Sequence, residues 1–153
     1  MSLEGKSAPD FTLPRDGGAD LTLSSLRPSK VVLFFYPKAD TSGCTKEAIG
    51  FTEAKAAFEA AGAVVVGVSK DPSVKHDKFK AKHDLDVILV SDAEGDVCET
   101  YGTWVEKQMY GKKYMGIERA TFLIDGDGKV LREWRKVKVP GHVDTVLAAV
   151  QEG

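Results

Sequence analysis

One cysteine stands at a junction between two sequence patterns, in the stretch "FFYPKADTSGCTKEAIGF" of residues 34–51. Cys44 follows Ser-Gly, at the point where a helical pattern begins. A free cysteine has a pKa of about 8.5, which a helix N-terminus or a nearby arginine lowers by one to several units. The first turn of a helix offers unpaired backbone N–H groups and the positive end of the helix dipole. This position predicts a reactive thiol; the alternative is a small apolar residue packed at a helix start.

Three neighbouring residues have the chemistry to support a thiolate at this position. Thr41, three residues earlier, carries a hydroxyl that can both donate and accept hydrogen bonds. Pro37 has no N–H group, so it can shield the sulfur without supplying a competing donor. Glu47, one turn further along the helix, can hold a cation in a fixed orientation. Together these residues predict a site built around a single sulfur atom.

The strand that must place this cysteine is the apolar run "VVLFFY" at residues 31–36, which Pro37 ends. Its β-branched and aromatic residues are typical of a strand buried on both faces. From Cys44 onward, apolar residues recur at three- and four-residue intervals. This spacing predicts one amphipathic helix over residues 44–61, which ends at Gly62.

The rest of the chain continues to alternate strands and helices. The pattern predicts strands at 63–69, 86–92, 120–125 and 130–137, and helices at 73–83, 95–102 and 142–151. It also predicts an N-terminal hairpin that turns at residues 16–18, and a long polar and aromatic connection over 103–119. We therefore expect one α/β domain over residues 1–153, a central mixed sheet flanked by helices. Active sites of such folds lie at the carboxyl ends of strands, where Cys44 is placed.

Composition and charge exclude several classes of protein. The 153 residues are 42% hydrophobic and 29% charged, which is ordinary for one globular domain. A net charge of −2 argues against nucleic acid or an anionic membrane as the main partner. The longest apolar runs fall far short of the roughly 18 residues that span a bilayer, and the start of the chain lacks the apolar run of a secretory signal. We expect a cytoplasmic protein that does not bind a membrane.

Several stretches in the same order resemble one known family. "YPKADTSGC" resembles the Pro-x-x-x-Thr-x-x-Cys signature of peroxiredoxins, which are thiol peroxidases on a thioredoxin-like fold. The wider "FFYPKADTSGCTKEA" is similar to the bacterioferritin comigratory protein, or peroxiredoxin Q, branch. "SAPDFTLPRDGG" near the start and "VSDAEGDVCETYGTWVEKQMYGKKYMGIERATFLIDGDGKV" in the second half resemble that branch too. The resemblance thus covers nearly the whole chain.

The resemblance implies a role for each matching position. Cys44 would be the peroxidatic cysteine, which attacks the peroxide and becomes a sulfenic acid. Thr41 would hydrogen-bond the peroxide and the thiolate, and Pro37 would shield the pocket from water. Arg119, in "GIERATF", would stabilise the thiolate and the charge on the leaving oxygen. Glu47 would orient that arginine.

Two further residues complete the expected site. The backbone N–H groups of Gly43 and Cys44 are available as donors to the reacting oxygens, and Tyr36 is expected to line the pocket. The chemistry needs no metal, haem, flavin or other cofactor. His76 and His83 lie seven residues apart on a predicted helix, and we expect them to be exposed to solvent rather than to bind a metal.

The chain departs from the family pattern at the second cysteine. Many members of this branch carry a resolving cysteine five residues after the peroxidatic one, where this chain has Ile49, and others carry it in the next helix, which has none here. The remaining thiol is Cys98, and its neighbours Val97 and Tyr101 favour a packed structural residue. The alternative is a Cys44–Cys98 disulfide after local unwinding, which would bring the two Cα atoms within about 7 Å.

The expected function is reduction of hydrogen peroxide and organic hydroperoxides in antioxidant defence. Thioredoxin, glutaredoxin or a small thiol would reduce the enzyme again, which is one-cysteine chemistry if Cys98 is inert. The alternative is a catalytically weak redox sensor or holdase on the same fold. We expect a monomer or a weak homodimer. An apolar group on the 103–119 connection is expected to pack in the core, or else to form a dimer face or a lip for organic hydroperoxides: Trp104, Met109, Tyr110, Tyr114 and Met115.

Overall fold

The computed structural model describes residues 2–152, as nine strands and five α-helices. Two short 3-10 turns, Asp16–Gly18 and Leu23–Leu26, lie near the N-terminus. The elements in chain order are β1 (Thr12–Pro14), β2 (Asp20–Thr22), β3 (Lys30–Phe35), α1 (Ser42–Glu53), α2 (Lys55–Ala60), β4 (Ala63–Ser69), α3 (Ser73–His83), β5 (Ile88–Ser91), α4 (Val97–Thr100), β6 (Trp104–Met109), β7 (Lys112–Ile117), β8 (Ala120–Ile124), β9 (Val130–Trp134) and α5 (His142–Glu152).

The central sheet has the strand order β5–β4–β3–β8–β9. β3, β4 and β5 are parallel, whereas β8 and β9 join antiparallel, so the sheet is mixed as predicted. β3 lies in the middle and buries both faces. Leu33 and Phe35 enter one apolar core, and Val32 and Phe34 enter the other. The expectation of a doubly buried strand before Cys44 is confirmed.

The two faces of the sheet are covered differently. Side chains of α1, α2, α3 and α5 pack on the face that holds Phe34. The N-terminal hairpin of β1 and β2 packs on the opposite face together with α4. Within residues 2–152, no helix combines the length and apolar character needed to cross a membrane.

The helix predicted over residues 44–61 is two helices. Ala54, with φ −91° and ψ 2°, ends α1 and begins α2. Phe51 and Phe58 stay buried on the same core across the break, with ring centroids 5.7 Å apart. The apolar spacing that predicted a single helix therefore continues through a change of backbone conformation, which periodicity does not reveal.

The connection predicted over residues 103–119 is mostly a β-hairpin. β6 and β7 pair antiparallel as a separate two-stranded sheet, with a turn at Tyr110 and Gly111, both at positive φ. Within the described residues 2–152, no other element covers the outer part of this ribbon. The expectation of core packing is therefore right for the half-buried Trp104 and wrong for four exposed side chains: Met109, Tyr110, Tyr114 and Met115.

The expectation for the two histidines of α3 is also partly wrong. His76 is fully buried, with its Nε2 atom 2.8 Å from the Ser69 hydroxyl and its ring against Tyr36. His83 is half-buried, with its Nε2 atom 2.8 Å from an oxygen of Asp40. Charged residues make up much of the sequence of α3, and only His76 and Phe79 of this helix are buried. Two buried positions are too few for the sequence pattern to show which face of the helix points inward.

Candidate active site

Cys44 lies in the first turn of α1, and only 1% of its surface is exposed. The loop of residues 36–41 carries the chain from the carboxyl end of β3 to this turn. The Thr45 N–H group makes the first bond of the helix, to the Thr41 carbonyl at 2.8 Å. The N–H groups of Gly43 and Cys44 precede this bond, so the helix does not use them. They remain available for a ligand near the sulfur.

Arg119 reaches this turn from the short link between β7 and β8. Its Nη1 atom donates to Oε1 of Glu47 at 2.7 Å, and its Nη2 atom donates to Sγ of Cys44 at 3.4 Å. Gly43 permits the approach, because a Cβ atom there would lie 3.1 Å from Nη2. The structure thus brings together four residues that the sequence analysis singled out: Gly43, Cys44, Glu47 and Arg119.

Burial and charge set the ionisation of the Arg119–Glu47 pair. Glu47 is fully buried, and burial raises its pKa to about 7 although Arg119 acts in the opposite direction. Burial would lower the pKa of Arg119, but the negative charges of Glu47 and Cys44 outweigh it and raise that pKa. The guanidinium is therefore a permanent cation beside the sulfur. Among the described residues, Oε2 of Glu47 has no hydrogen-bond partner.

Thr41 and Pro37 lie on the 36–41 loop, which precedes α1. The Thr41 hydroxyl donates its proton to the carbonyl of Lys38 at 2.8 Å, and the side chain is exposed. Since a hydroxyl has one proton, its oxygen acts as an acceptor towards any further partner. Pro37 is half-buried and contributes no N–H group.

Tyr36 belongs to the buried surroundings of Cys44. It is fully buried in the apolar cluster that includes Cys44, with its ring close to those of Phe34, His76 and Phe79. The expectation that Tyr36 lines the pocket stays a prediction. Burial, together with the nearby negative groups, raises the pKa of its phenol, so the hydroxyl stays protonated. That hydroxyl has no hydrogen-bond partner among the described residues.

The chain is similar to known proteins in both sequence and structure. A model of the AhpC/TSA family matches residues 5–132. A putative peroxiredoxin bcp of Coxiella burnetii is 53% identical over 148 residues, 96% of this chain and 98% of that protein. Peroxiredoxin Bcp of Bacillus subtilis is 45% identical over 153 residues, 99% and 98% of the two chains. A Xanthomonas campestris peroxiredoxin Q structure superposes with a TM-score of 0.88 at 44% identity, covering 93% of this chain and 90% of that one.

The chain belongs to the AhpC/TSA family. Its similarity to Bcp and peroxiredoxin Q proteins spans nearly its whole length, so the expected peroxiredoxin branch is confirmed. The thioredoxin-like peroxiredoxin fold is confirmed by the same superposition. A further Xanthomonas campestris structure, at 43% identity, is described as a trapped intermediate or ligand complex that bears on alkyl peroxide reduction.

The second thiol of this peroxiredoxin is remote from the first. Cys98 is fully buried in α4, in the apolar core on the opposite face of the sheet from Cys44. Its N–H group donates to a carboxylate oxygen of Asp92 at 2.8 Å, and its carbonyl accepts from Thr103. Burial and the adjacent Asp92 raise the pKa of this thiol, which keeps it protonated. These surroundings are those of a packed structural cysteine.

Sequence reasoning missed the buried polar residues behind the 36–41 loop. Asp71 lies just after the carboxyl end of β4, and its carboxylate accepts a hydrogen bond from the Ala39 N–H group of that loop. Ser69 and His76 extend the same network. The signal was present, because Asp71 follows a parallel strand adjacent to β3 and so lies at the same edge of the sheet as Cys44.

Proposed function

We propose that this peroxiredoxin reduces hydrogen peroxide and organic hydroperoxides at Cys44, with Arg119, Thr41 and Pro37 as its catalytic neighbours. The observation that carries the proposal is the Arg119 guanidinium, which contacts Sγ of Cys44 at 3.4 Å and Oε1 of Glu47 at 2.7 Å. In this proposal, a cation fixed in this way favours the thiolate and binds the peroxide.

The first half-reaction is attack of the thiolate on one peroxide oxygen. A sulfur–oxygen bond forms and the oxygen–oxygen bond breaks. The leaving oxygen takes the electron pair and then a proton from solvent, giving water or an alcohol, and Cys44 becomes a sulfenic acid. Negative charge moves from sulfur to the leaving oxygen. In this proposal, Arg119 and the N–H groups of Gly43 and Cys44 stabilise that charge as it develops.

Thr41 orients the peroxide in this scheme. Because its hydroxyl proton is given to the Lys38 carbonyl, its oxygen accepts the O–H group of the substrate. The substrate is then held in line with the sulfur, which is the geometry that proximity catalysis requires. Pro37 shields the opposite side, where an N–H group would compete for the thiolate.

The second half-reaction uses an external thiol. Cys98 lies in the other core of the sheet, so it is not available to form an internal disulfide without disruption of that core. A thiol attacks the sulfenic sulfur, water leaves, and a mixed disulfide forms; a second thiol then releases Cys44 as a thiolate. Thioredoxin, glutaredoxin or a small thiol would serve as reductant.

The wider setting of the enzyme is part of the same proposal. Both cysteines are free, which supports a location in a reducing compartment, the cytoplasm. There the enzyme would act in antioxidant defence. We propose a monomer or a weak homodimer. The exposed side chains of the β6–β7 hairpin, among them Tyr110 at 97% exposure, support weak pairing over this surface. Sedimentation at several concentrations tests this part.

The test is peroxide consumption with dithiothreitol as reductant. We expect many turnovers in the wild type, loss of turnover in Cys44→Ser, and nearly full activity in the matched control Cys98→Ser. Oxidation of Cys44 without repeated turnover would contradict an enzyme and favour the redox sensor. Equal activity of Cys44→Ser and the wild type would remove Cys44 from the mechanism.

A further inference from the structure

A buried carboxylate ties the 36–41 loop to the carboxyl end of β4. Oδ2 of Asp71 accepts the N–H group of Ala39 at 2.7 Å and the hydroxyl of Ser69 at 2.9 Å. Asp71 and Ser69 are both buried. Ala39 lies midway along the loop, between Pro37 and Thr41. The loop that carries the proposed peroxide-binding groups is thus held from behind by a residue outside the family motif.

The protons of this network can be assigned by counting. The Ser69 hydroxyl has one proton, which it donates to Asp71, and two lone pairs. One lone pair accepts the N–H group of Asp71 at 3.2 Å, and the other faces Nε2 of His76 at 2.8 Å. His76 must therefore carry its proton on Nε2. The other ring nitrogen, Nδ1, is buried and has no partner among the described residues.

In this assignment two donors, the Ala39 N–H group and the Ser69 hydroxyl, point towards the Asp71 carboxylate. His76 donates to Ser69, and Ser69 and Ala39 both donate to Asp71. Burial lowers the pKa of His76, so the imidazole is neutral and acts only as this donor. A buried carboxylate is stable only when it is hydrogen-bonded in this way. The network consequently has one arrangement, which fixes the position of Ala39.

The backbone next to Ala39 is held in a conformation that needs such support. Asp40 has a φ of 63°, in the left-handed region that residues other than glycine seldom occupy. Lys82 and His83 of α3 each contact its carboxylate at 2.8 Å, but Asp40 and Lys82 are exposed. The hydrogen bond from Ala39 to Asp71 is part-buried, so water competes less for it than for the exposed contacts of Asp40. A conformation of this kind persists only while its surroundings impose it.

We propose that Asp71 is a positioning residue for the peroxide half-reaction, holding Ala39 so that Thr41 and Cys44 keep their places relative to Arg119. Thr41 is two residues beyond Ala39, and Cys44 lies in the first turn of the helix that Thr41 precedes. Without the Asp71 carboxylate, Asp40 relaxes to negative φ and Thr41 moves with it. A displacement of about 1 Å in such a site lowers rates by roughly a hundredfold.

The inference rests on the proposed function, and it separates the two half-reactions. Attack on peroxide needs Thr41, Cys44 and Arg119 in one fixed arrangement. Reduction of the sulfenic acid needs an outside thiol to reach a sulfur that is 1% exposed, so the first turn of α1 must move. Asp71 therefore favours oxidation of Cys44 and opposes its reduction.

The test compares the rate constants of the two half-reactions in Asp71→Ala and Asp71→Asn. Oxidation by peroxide and reduction of preformed sulfenic acid by dithiothreitol are followed separately by stopped-flow fluorescence. In Asp71→Ala we expect oxidation to fall by about 10- to 100-fold and reduction to stay the same or rise. Asn retains an oxygen that can accept both hydrogen bonds, so Asp71→Asn should recover most of the oxidation rate.

Asp92 provides a matched control. It is also a fully buried carboxylate that follows a parallel strand, β5, but it holds the N–H groups of Val97 and Cys98 in α4 instead of the 36–41 loop. Asp92→Ala should lower the melting temperature without changing the ratio of the two rate constants. A purely structural role for Asp71 would produce the same pattern in Asp71→Ala.

The ratio of oxidation to reduction rate constants decides the outcome. An unchanged ratio in folded Asp71→Ala, or an equal loss in both half-reactions, overturns the proposal. If Asp71→Ala does not fold, Ser69→Ala replaces it; we then expect the ratio to fall severalfold, and an unchanged ratio again overturns the proposal. Failure of the proposed function is distinct, because it would appear as a wild-type enzyme whose turnover does not depend on Cys44.

Discussion

Arg119 lies across Gly43, with Nη2 3.1 Å from the point that a Cβ atom of residue 43 would occupy. The same nitrogen is 3.4 Å from the sulfur of Cys44. The other nitrogen, Nη1, is held by Glu47, so the guanidinium has little freedom to move aside. The missing side chain at residue 43 thus allows the short distance between the cation and the sulfur.

A methyl group at this position should weaken catalysis without weakening the fold. In Gly43→Ala, the new Cβ atom pushes Nη2 away from the sulfur, and we expect the rate constant for Cys44 oxidation to fall by about tenfold. Alanine is favoured over glycine in a helix by about 1 kcal/mol, so the melting temperature should stay the same or rise. Stopped-flow oxidation and thermal unfolding measure the two effects.

A double-mutant cycle tests whether Gly43 acts through Arg119. Arg119→Ala alone should lower the oxidation rate constant by about 100-fold, as expected for loss of a charged donor at a developing oxyanion. Adding Gly43→Ala to Arg119→Ala should then have almost no further effect, because the guanidinium is gone. Independent, additive losses would show that residue 43 acts in some other way.

The raised pKa of Glu47 predicts a pH-dependent stability. Its pKa is about 7 in the folded protein against 4.5 as the ordinary value, so the folded state binds a proton more tightly than the unfolded chain. The stability contribution is fully present below about pH 4.5 and is lost as the pH rises through 7. The difference between the two pKa values corresponds to roughly 3 kcal/mol in the free energy of unfolding.

Glu47→Gln isolates this contribution from those of other groups. We expect the free energy of unfolding of the variant, relative to the wild type, to increase between pH 4.5 and pH 8, because glutamine has no proton to lose. Urea unfolding at a series of pH values measures the difference. The attraction of Glu47 to Arg119 appears only as Glu47 ionises, so it is already contained in the pKa of about 7. A difference between variant and wild type that is constant over this range would therefore argue against a buried, titrating Glu47.

His142 should show the opposite dependence. Burial and the nearby Arg119 lower its pKa to about 4, and its Nε2 atom lies 2.8 Å from the hydroxyl of Thr121. Its neutral form contributes stability above pH 6.5, the ordinary value, which is lost as the pH falls through 4. In His142→Gln, the free energy of unfolding should fall less steeply between pH 6.5 and 4. NMR titration of the His142 ring in the wild type should find it neutral at pH 5.5; a protonated ring there would refute the assignment.

Intact-mass analysis after one equivalent of peroxide tests the role of Cys98. Because Cys98 is buried on the other side of the sheet, we expect the wild type and Cys98→Ser to gain one oxygen each. A dicarbonyl reagent that traps sulfenic acid should label both proteins equally. Loss of two hydrogens in the wild type alone would instead establish a Cys44–Cys98 disulfide and reverse the one-cysteine interpretation.

The parts of the fold that the sequence predicted well are those with strong local patterns. The run at residues 31–36 and the Thr-x-x-Cys spacing placed Cys44 after a buried strand, and the structure has both features. The β6–β7 hairpin was missed because the lysines at 107, 112 and 113 interrupt its alternation. A ribbon with no covering layer has no need of a regular apolar face.

The site was predictable only as far as a motif or a family resemblance reached. Arg119 lies 75 residues from Cys44, and nothing in the periodicity of the chain brings the two together. The link between Asp71, Ser69 and His76 was out of reach for a different reason. It depends on which atom carries each proton and on side-chain directions, neither of which is encoded in residue spacing.

Ala54 separates α1 from α2, so these two helices can unfold locally as separate units. Phe58 anchors the second unit in the core, whereas the thiol end of the first is the part that an incoming reductant must loosen. In each catalytic cycle, only a few hydrogen bonds in the first turn of α1 then need to break and re-form, while α2 stays folded. Amide exchange should accordingly be faster for the opening turn of that helix than for the segment around Phe58, and faster still while the cysteine is held as a mixed disulfide.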